Sequence, residues 1–313
     1  MSEQQQQQPK QRTGTMRAAF VSTFGGPERV ELAEVAVPEP GAGQVRIRVR
    51  AAGVNPVDGG VRAGVFGGAG QRIGLGWDVA GDIDAVGAGV DGWTEGRRVV
   101  GLHYGTVKPL GTHAEYAVLD ASAVAAAPES VDDAAAAALP LAGLTAARSV
   151  DLLGLAPGDS VLITGAAGVV GGLAVQLAVR AGLVVTALAG AGDEEFVRSL
   201  GAAEFVARGG APAGPVDGVL DTAVLGAPAL GFVRDGGTYV GVIPGAAPAA
   251  ERGIRVAEQE VAPDGALLAR LSALVDAGGL TLRVADTLPL AEAAKAHEAL
   301  ATPGTRGRVV LLP

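Results

Sequence analysis

The stretch SVLITGAAGVVGG, Ser160 to Gly172, constrains this chain more than any other. The apolar, β-branched run Val161–Thr164 reads as a buried strand, and it stops on a cluster of small residues before a helical pattern begins. The turn and helix start comprise Gly165, Ala166, Ala167, Gly168, Val169, Val170 and Gly171. Ala166, Gly168 and Gly171 form A-x-G-x-x-G, a variant of the dinucleotide-binding pattern with alanine first. In that pattern the first small residue permits the tight turn, the second lets backbone approach a pyrophosphate, and the third lets helix pack on strand. The helix start offers unpaired N–H groups to the anion. No lysine follows the glycines, which excludes a Walker nucleotide loop. A packing turn without ligand is the alternative reading.

The residues beyond this turn fit a doubly wound parallel sheet. Helical VVGGLAVQLAVRAG is succeeded by the strand LVVTALA, the helix DEEFVRSLG and the strands EFVA, DGVLDTA and GTYVGVI. Such alternation predicts α/β architecture with helices on both faces. Between EFVA and DGVLD lies only RGGAPAGPV, too short for a helical crossover, so a bare loop is expected to cross the sheet there. An NAD site places an acid about 20 residues beyond the glycines. Here Ala187, Leu188, Ala189 and Gly190 occupy that region and the first acid is Asp193, which favours NADPH. Arg208 is the candidate for its 2′-phosphate; Arg198 is a second, and either can be an ordinary surface charge.

The part before residue 131 is β-rich. MRAAFVS, RVELAEVAVP, QVRIRVRAAGV, VAGDIDAVGAGV, RRVVGL and HAEYAVLD, separated by glycine and proline turns, suggest a compact, partly open barrel. Helical composition sets in after Ser130, a candidate N-cap, and Pro140 should interrupt it. After residue 262 come a helical stretch, the strand TLRVADTLPL, the helix AEAAKAHEALA and the strand RGRVVLLP. Residues 1–15 are polar and glutamine-rich, with no apolar middle of a secretory signal, so a disordered tail and a cytoplasmic location are expected. The 313 residues include no cysteine, which excludes disulfides and thiolate chemistry. A net charge of −9 disfavours nucleic acid as a partner. No apolar run is long enough to span a membrane.

The stretches AAGVNPVDGGVRAG, GWDVAGDIDAVGAGVDGWTEGRRVVGL, GTHAEYAVLD, LPLAGLTAARSV, GAAGVVGGLAVQLAVRAG and RSLGAAEFV together carry a resemblance. The chain resembles the zinc-free quinone oxidoreductases of the medium-chain dehydrogenase/reductase superfamily over nearly everything after Met16. The resemblance implies a GroES-like catalytic domain formed by residues 16–139 and 263–313. A Rossmann NADP-binding domain, residues 140–262, is inserted between them. It also implies NADPH, reduction of a quinone or an α,β-unsaturated carbonyl, and a homodimer. Zinc-dependent cousins carry cysteine at the position of Asn55, and Gly-His-Glu where this chain has Gly76, Trp77 and Asp78. No zinc ligand set is therefore expected.

By the same resemblance Asn55 is the active-site amide, whose NH₂ would donate to a developing oxyanion. Asp58 matches the acid of N-x-x-D, where it fixes the loop rather than transfers protons; an Asx-type turn around Pro56 is the plainer reading of both residues. Relatives carry tyrosines, one a proton donor, at positions matching Gly60 and Phe66. Their absence turns attention to His103 and Tyr104, with His103 as a group titrating near neutrality or both as surface residues. Trp77 is read as an aromatic wall for a flat substrate or as a core residue. His113 is placed on a strand, packed or exposed. Cofactor contacts extend to Thr145 at a helix start (or in simple packing), to Asp221, and to the backbone of Gly241 and Val242. The alternative function is an NADPH-binding relative without redox turnover, as a sensor or in a non-redox step such as cyclisation.

Overall fold

A computed structural model describes residues 14–302 and 304–313; the expected tail, apart from Gly14 and Thr15, lies outside them. Thr15 already opens the first strand, Thr15–Val21. The chain divides into two compact units. One comprises Met1–Pro140, Pro263–Ser272 and Val284–Pro313, and the other Leu141–Ala262 and Ala273–Arg283.

The first unit is built on antiparallel strands. A long strand, Gln44–Val54, pairs with Asp78–Val86, with Tyr116–Asp120 and with the last strand, Arg308–Leu312. The alternation in QVRIRVRAAGV explains its position: Val45, Ile47 and Val49 point into a core shared with Val79, Ile83, Val99 and Leu119. A three-stranded sheet forms from Glu31–Ala36, Thr15–Val21 and Ile73–Gly74. Helix Pro56–Ala63 begins with proline at its first position and ends on Gly64 at φ 81°, a left-handed cap that glycine adopts without strain. The short helix Asp133–Ala136 is capped by Asp132, whose Oδ1 accepts from Ala135 N at 2.8 Å. The cap is thus Asp132 and not Ser130. Pro140 starts the next helix, Pro140–Leu153, so the interruption falls where expected.

The second unit holds a sheet of six parallel strands. Their order is Glu204–Ala207, Val184–Ala189, Ser160–Thr164, Val216–Asp221, Val233–Gly241 and Arg255–Glu258. In chain order this is 3-2-1-4-5-6, the doubly wound Rossmann arrangement. Residues 208–215 connect the third strand to the fourth without a helix, as the sequence requires. Crossing three strand spacings, about 14 Å, is within reach of eight extended residues, roughly 26 Å. Two carboxylates pin the central strands at opposite ends. Asp217 Oδ2 accepts from Ser160 N at 2.8 Å and from its hydroxyl at 2.6 Å. Asp221 Oδ1 accepts from Thr164 Oγ1 at 2.6 Å, and its Oδ2 from Tyr239 OH and Gly226 N, both at 2.8 Å.

Candidate functional site

Two constellations emerge, one in each unit. In the parallel-sheet unit the first strand ends at Thr164 and the chain turns at Gly165, φ 60°. The tight-turn conformation therefore sits on Gly165, one residue before Ala166, to which the motif assigned it. Gly168 is the N-cap of helix Val169–Arg180 with φ −75°, and no side chain caps it. The first helical N–H groups lack intrahelical partners and carry the positive end of the helix dipole. Gly171 answers to close packing: a methyl there would run into the Gly165 carbonyl oxygen. Strands one and four are paired neighbours beside this turn, and the strand order reverses between them, the switch point at which such sheets bind ligands. The turn fits a pyrophosphate.

The neighbouring groups sort differently. Ala189 ends the second strand, and its carbonyl accepts from Arg208 N at 2.7 Å, which anchors Arg208 beside that strand end. Arg208 is exposed and enters no ion pair among the described residues. Arg198 instead pairs with Glu194 at 2.8 Å and donates to Ala203 O at 3.1 Å, a surface role. Asp221 is fully buried and both its oxygens are engaged, so its carboxylate positions the strand ends rather than reaching a ligand. Thr164, which the sequence did not single out, joins this knot: its hydroxyl accepts from Ala223 N at 3.0 Å. Val224 nearby has φ 56°, a strained value for a β-branched residue. Gly241 closes its strand and its carbonyl accepts from Gln259 N at 2.8 Å, while Val242 follows half-buried. Thr145 is buried in the second turn of its helix, not at the start.

In the antiparallel unit, Asn55, Asp58 and Asp78 are completely buried together. Asn55 precedes helix Pro56–Ala63, and its backbone N–H donates to Asp58 Oδ2 at 2.8 Å, the acidic half of a capping box. Asp58 Oδ1 accepts from Gly76 N at 2.9 Å. Asp58 thus ties two loops together, as its loop-fixing role requires. Asn55 Nδ2 donates to Asp78 Oδ2 at 2.9 Å and leans on Gly53 O at 3.4 Å. Two acceptors facing that nitrogen fix the amide's orientation. Its NH₂ is consequently spent inside the protein and does not serve as the expected oxyanion donor. The buried atom left without a partner is Oδ1, an acceptor.

The histidines are equally constrained. His113 is fully buried, ahead of strand Tyr116–Asp120, with Nε2 donating to Gly53 O at 3.1 Å and standing 4.0 Å from Asp58 Oδ2. Its ring meets that of His297 edge-on at 5.7 Å. Arg62 Nη1 donates to His297 Nδ1 at 3.2 Å. Burial lowers the pKa of His113, and burial first, then His113, pushes His297 down to about 3. His103 is also pushed down to about 3, by burial and then by Lys108. Expected as a neutral-pH titrating group, His103 is held uncharged instead.

Trp77 is a core residue, 3 % exposed, with an aromatic neighbour: Tyr104, itself exposed, meets it edge-on at 5.2 Å. Phe66 lies against Gly60, where a β-carbon would come within 2.8 Å of its ring. Lys108, which the sequence did not single out, completes the cluster. It is 7 % exposed, its Nζ lies 4.8 Å from the Trp77 ring centroid, and it donates to His103 O at 2.7 Å. Burial pushes its pKa down to about 7, against the opposing pull of Asp58 and Asp78. Arg308, also buried, donates to Val54 O at 3.1 Å and faces the same two carboxylates.

Comparisons with known proteins place these units. Residues 41–129 match the alcohol dehydrogenase GroES-like domain family, and residues 191–311 match a family described as zinc-binding dehydrogenase. The thermostable alcohol dehydrogenase of Pyrobaculum aerophilum, solved with cobalt and zinc, is 30 % identical with a TM-score of 0.85, covering 96 % of this chain and all of that one. The chain belongs to the quinone oxidoreductase-type family of the medium-chain dehydrogenase/reductase superfamily. The quinone oxidoreductase of Coxiella burnetii superposes with a TM-score of 0.86 at 28 % identity, over 96 % of this chain and all of that one. The 2-methylene-furan-3-one reductase of Solanum lycopersicum is 38 % identical over 196 residues, 60 % of this chain and 50 % of that protein. The match spans little more than half the length of the curated relatives, and 4 % of a Saccharopolyspora erythraea erythronolide synthase.

The family description raises the question of zinc. The donor set does not suit it: the amide nitrogen of Asn55 presents hydrogens rather than a lone pair, and both oxygens of Asp58 are taken by backbone N–H groups. Trp77 supplies no ligand atom. Among the described residues no helix is long and apolar enough to cross a membrane.

Proposed function

We propose that the chain is a zinc-independent, NADPH-dependent oxidoreductase that reduces a quinone or an α,β-unsaturated carbonyl. The observation that supports this reading is the buried Asn55–Asp78 hydrogen bond, a self-satisfied contact at the Asn55 position where the resemblance puts a zinc-binding cysteine in zinc-dependent cousins, in a chain that retains the dinucleotide turn. The conjugated carbonyl in the name of the tomato relative, and the quinone in others, support the substrate class.

A bound reduced nicotinamide supplies hydride. The chain's own residues do the rest. Gly168 and the N–H groups of Val169 and Val170 would hold the pyrophosphate, and Gly171 keeps the helix close enough for that approach. Ala189, in place of an acid, leaves room for a 2′-phosphate, and Arg208 would pair with it. Thr145, Gly241 and Val242 would line the nicotinamide end. Asp58 and Asp78 fix the loops bearing Asn55 and Trp77, whose Oδ1 and ring edge would orient the bound groups. Cytoplasmic location and a homodimer accompany this reading.

The test is consumption of NADPH with a panel of quinones and enones, followed by nicotinamide absorbance. Turnover with at least one acceptor is expected; saturable NADPH binding with every acceptor inert would overturn the reading. A second reading, nucleotide binding without redox turnover, is favoured by Gly60 and Phe66, which leave no phenol at the tyrosine positions of relatives. Product mass separates the two, because reduction adds two hydrogens and isomerising cyclisation adds none.

A further inference from the structure

Reducing a conjugated carbonyl requires a donor for the oxygen that turns anionic and a proton for the product. Most of the usual candidates in this chain are committed elsewhere. The NH₂ of Asn55 serves Asp78 and Gly53. All three histidines, His103, His113 and His297, are held neutral. Of the three tyrosines, Tyr239 is bonded to Asp221, with its pKa raised by burial and that carboxylate, Tyr116 belongs to an outer strand, and Tyr104 is exposed rather than buried, with its ring edge-on to Trp77.

Among the buried cations of the described residues, Lys108 is the one amine that stands beside an exposed aromatic side chain. Lys108 keeps its ammonium under Trp77, where one N–H is taken by His103 O and the ring face receives the charge. A lysine has three N–H donors, so this geometry leaves donor capacity beside the aromatic pair Trp77–Tyr104. The groups bearing on it are Asp58 from the helix Pro56–Ala63, Asp78 from its strand, His103 from its own loop and His113 from the loop ahead of strand Tyr116–Asp120. Arg308 on the last strand shares the two carboxylates.

We propose that Lys108 is the catalytic acid of the reduction, its ammonium polarising the substrate oxygen against Trp77 and then releasing a proton to the reduced product. The proposal rests on the oxidoreductase reading above. The step balances. A bound reduced nicotinamide would supply the hydride for the new C–H bond at the β-carbon, the C=C electron pair would shift to give an enolate, and the Lys108 N–H bond would break to deliver the proton. The neutral amine then regains a proton from water. With a quinone the same proton reaches the phenolate oxygen and the product is the hydroquinone. An amine that loses its proton near neutrality suits this work, as general acids operate best with pKa near the working pH.

The experiment compares wild type, Lys108→Met and Lys108→Arg for kcat and KM from pH 5.5 to 9.5, roughly the span over which a lysine displaced in this way changes charge. Nucleotide binding and thermal melting are measured alongside. Wild-type kcat should fall as pH rises through about 7, because the ammonium is the active form. Lys108→Met should lose about 10²–10⁴-fold in kcat while still binding NADPH. Lys108→Arg should keep the polarising charge but lose about 10-fold or more in kcat, because its guanidinium does not give up a proton, and the activity that remains should lack the alkaline limb. Should Lys108→Met unfold, the Lys108→Arg profile alone decides. A variant within threefold of wild type, or an unchanged pH profile in Lys108→Arg, overturns the role and leaves the oxidoreductase reading standing. A wild type inert toward every acceptor overturns both.

Discussion

The turn Gly165–Gly171 and the cluster around Asp58 solve opposite problems. At the turn, backbone groups are spared: Gly168 has no side-chain cap and the first N–H groups of its helix have no intrahelical partners. At the cluster the Asp58 carboxylate and the Asn55 amide nitrogen are consumed inward, with Asp58 serving Asn55 and Gly76 and Asn55 serving Asp78. The first arrangement needs small residues at fixed spacing in one short segment. The second gathers residues from positions 55, 78, 108, 113 and 308, and it works through burial and charge rather than through a motif. A site can therefore be built by sparing backbone groups or by spending side-chain groups, and only the former leaves a compact signature.

Removing Asp58 tests the inward arrangement most severely. Asp58→Ala would strand two buried N–H groups and leave Arg308 and Lys108 with one carboxylate, a loss of about 3–5 kcal/mol in chemical denaturation. If stability falls by less than 1 kcal/mol, roughly a surface-level effect, the cluster is not the anchor described. The matching test of the turn is Gly168→Asp. With φ at −75° the backbone tolerates a side chain, so the protein should fold, but a carboxylate would meet the pyrophosphate and weaken NADPH at least about 100-fold, near 3 kcal/mol. Retained affinity by titration calorimetry would remove the ligand from this turn.

Smaller effects sharpen the contrast. Asp217 is held down to about 2 by its bonds to Ser160 and then Arg234. Because its folded pKa lies below the ordinary value, its stabilisation is present above about pH 4 and is lost as pH falls toward 2. Asp217→Asn should cost about 1–2 kcal/mol near pH 7 and progressively less below pH 4 in acid-dependent melts. Arg208→Ala should weaken NADPH by about tenfold more than NADH, near 1.4 kcal/mol. Equal losses for the two nucleotides would show that this arginine does not read the 2′-phosphate.

The same division explains what the sequence revealed. Gly165 to Gly171 were legible because their constraint is local, and the missing crossover helix at 208–215 was legible because it is a matter of length. The assignment of the tight turn to Ala166 missed by one residue, since a motif records residue size and not φ. Asp132 displaced Ser130 as the cap because both are cap formers and only the helix phase chooses between them. Lys108 was invisible: its partners are a carbonyl at 103, a ring at 77 and carboxylates at 58 and 78, which only the folded sheet assembles. His103 looked reactive because histidine ordinarily titrates near neutrality, and only burial reveals otherwise.

On the proposed reading, buried side-chain hydrogen bonds and charge do the work of a metal and turnover needs no zinc. The direct measurement is NADPH-dependent turnover of a quinone or enone after exhaustive chelation, with residual metal quantified in the same sample. Turnover should be undiminished at metal contents far below one ion per chain, with no gain when zinc is returned. Activity that disappears on chelation and returns stoichiometrically with zinc would contradict the claim.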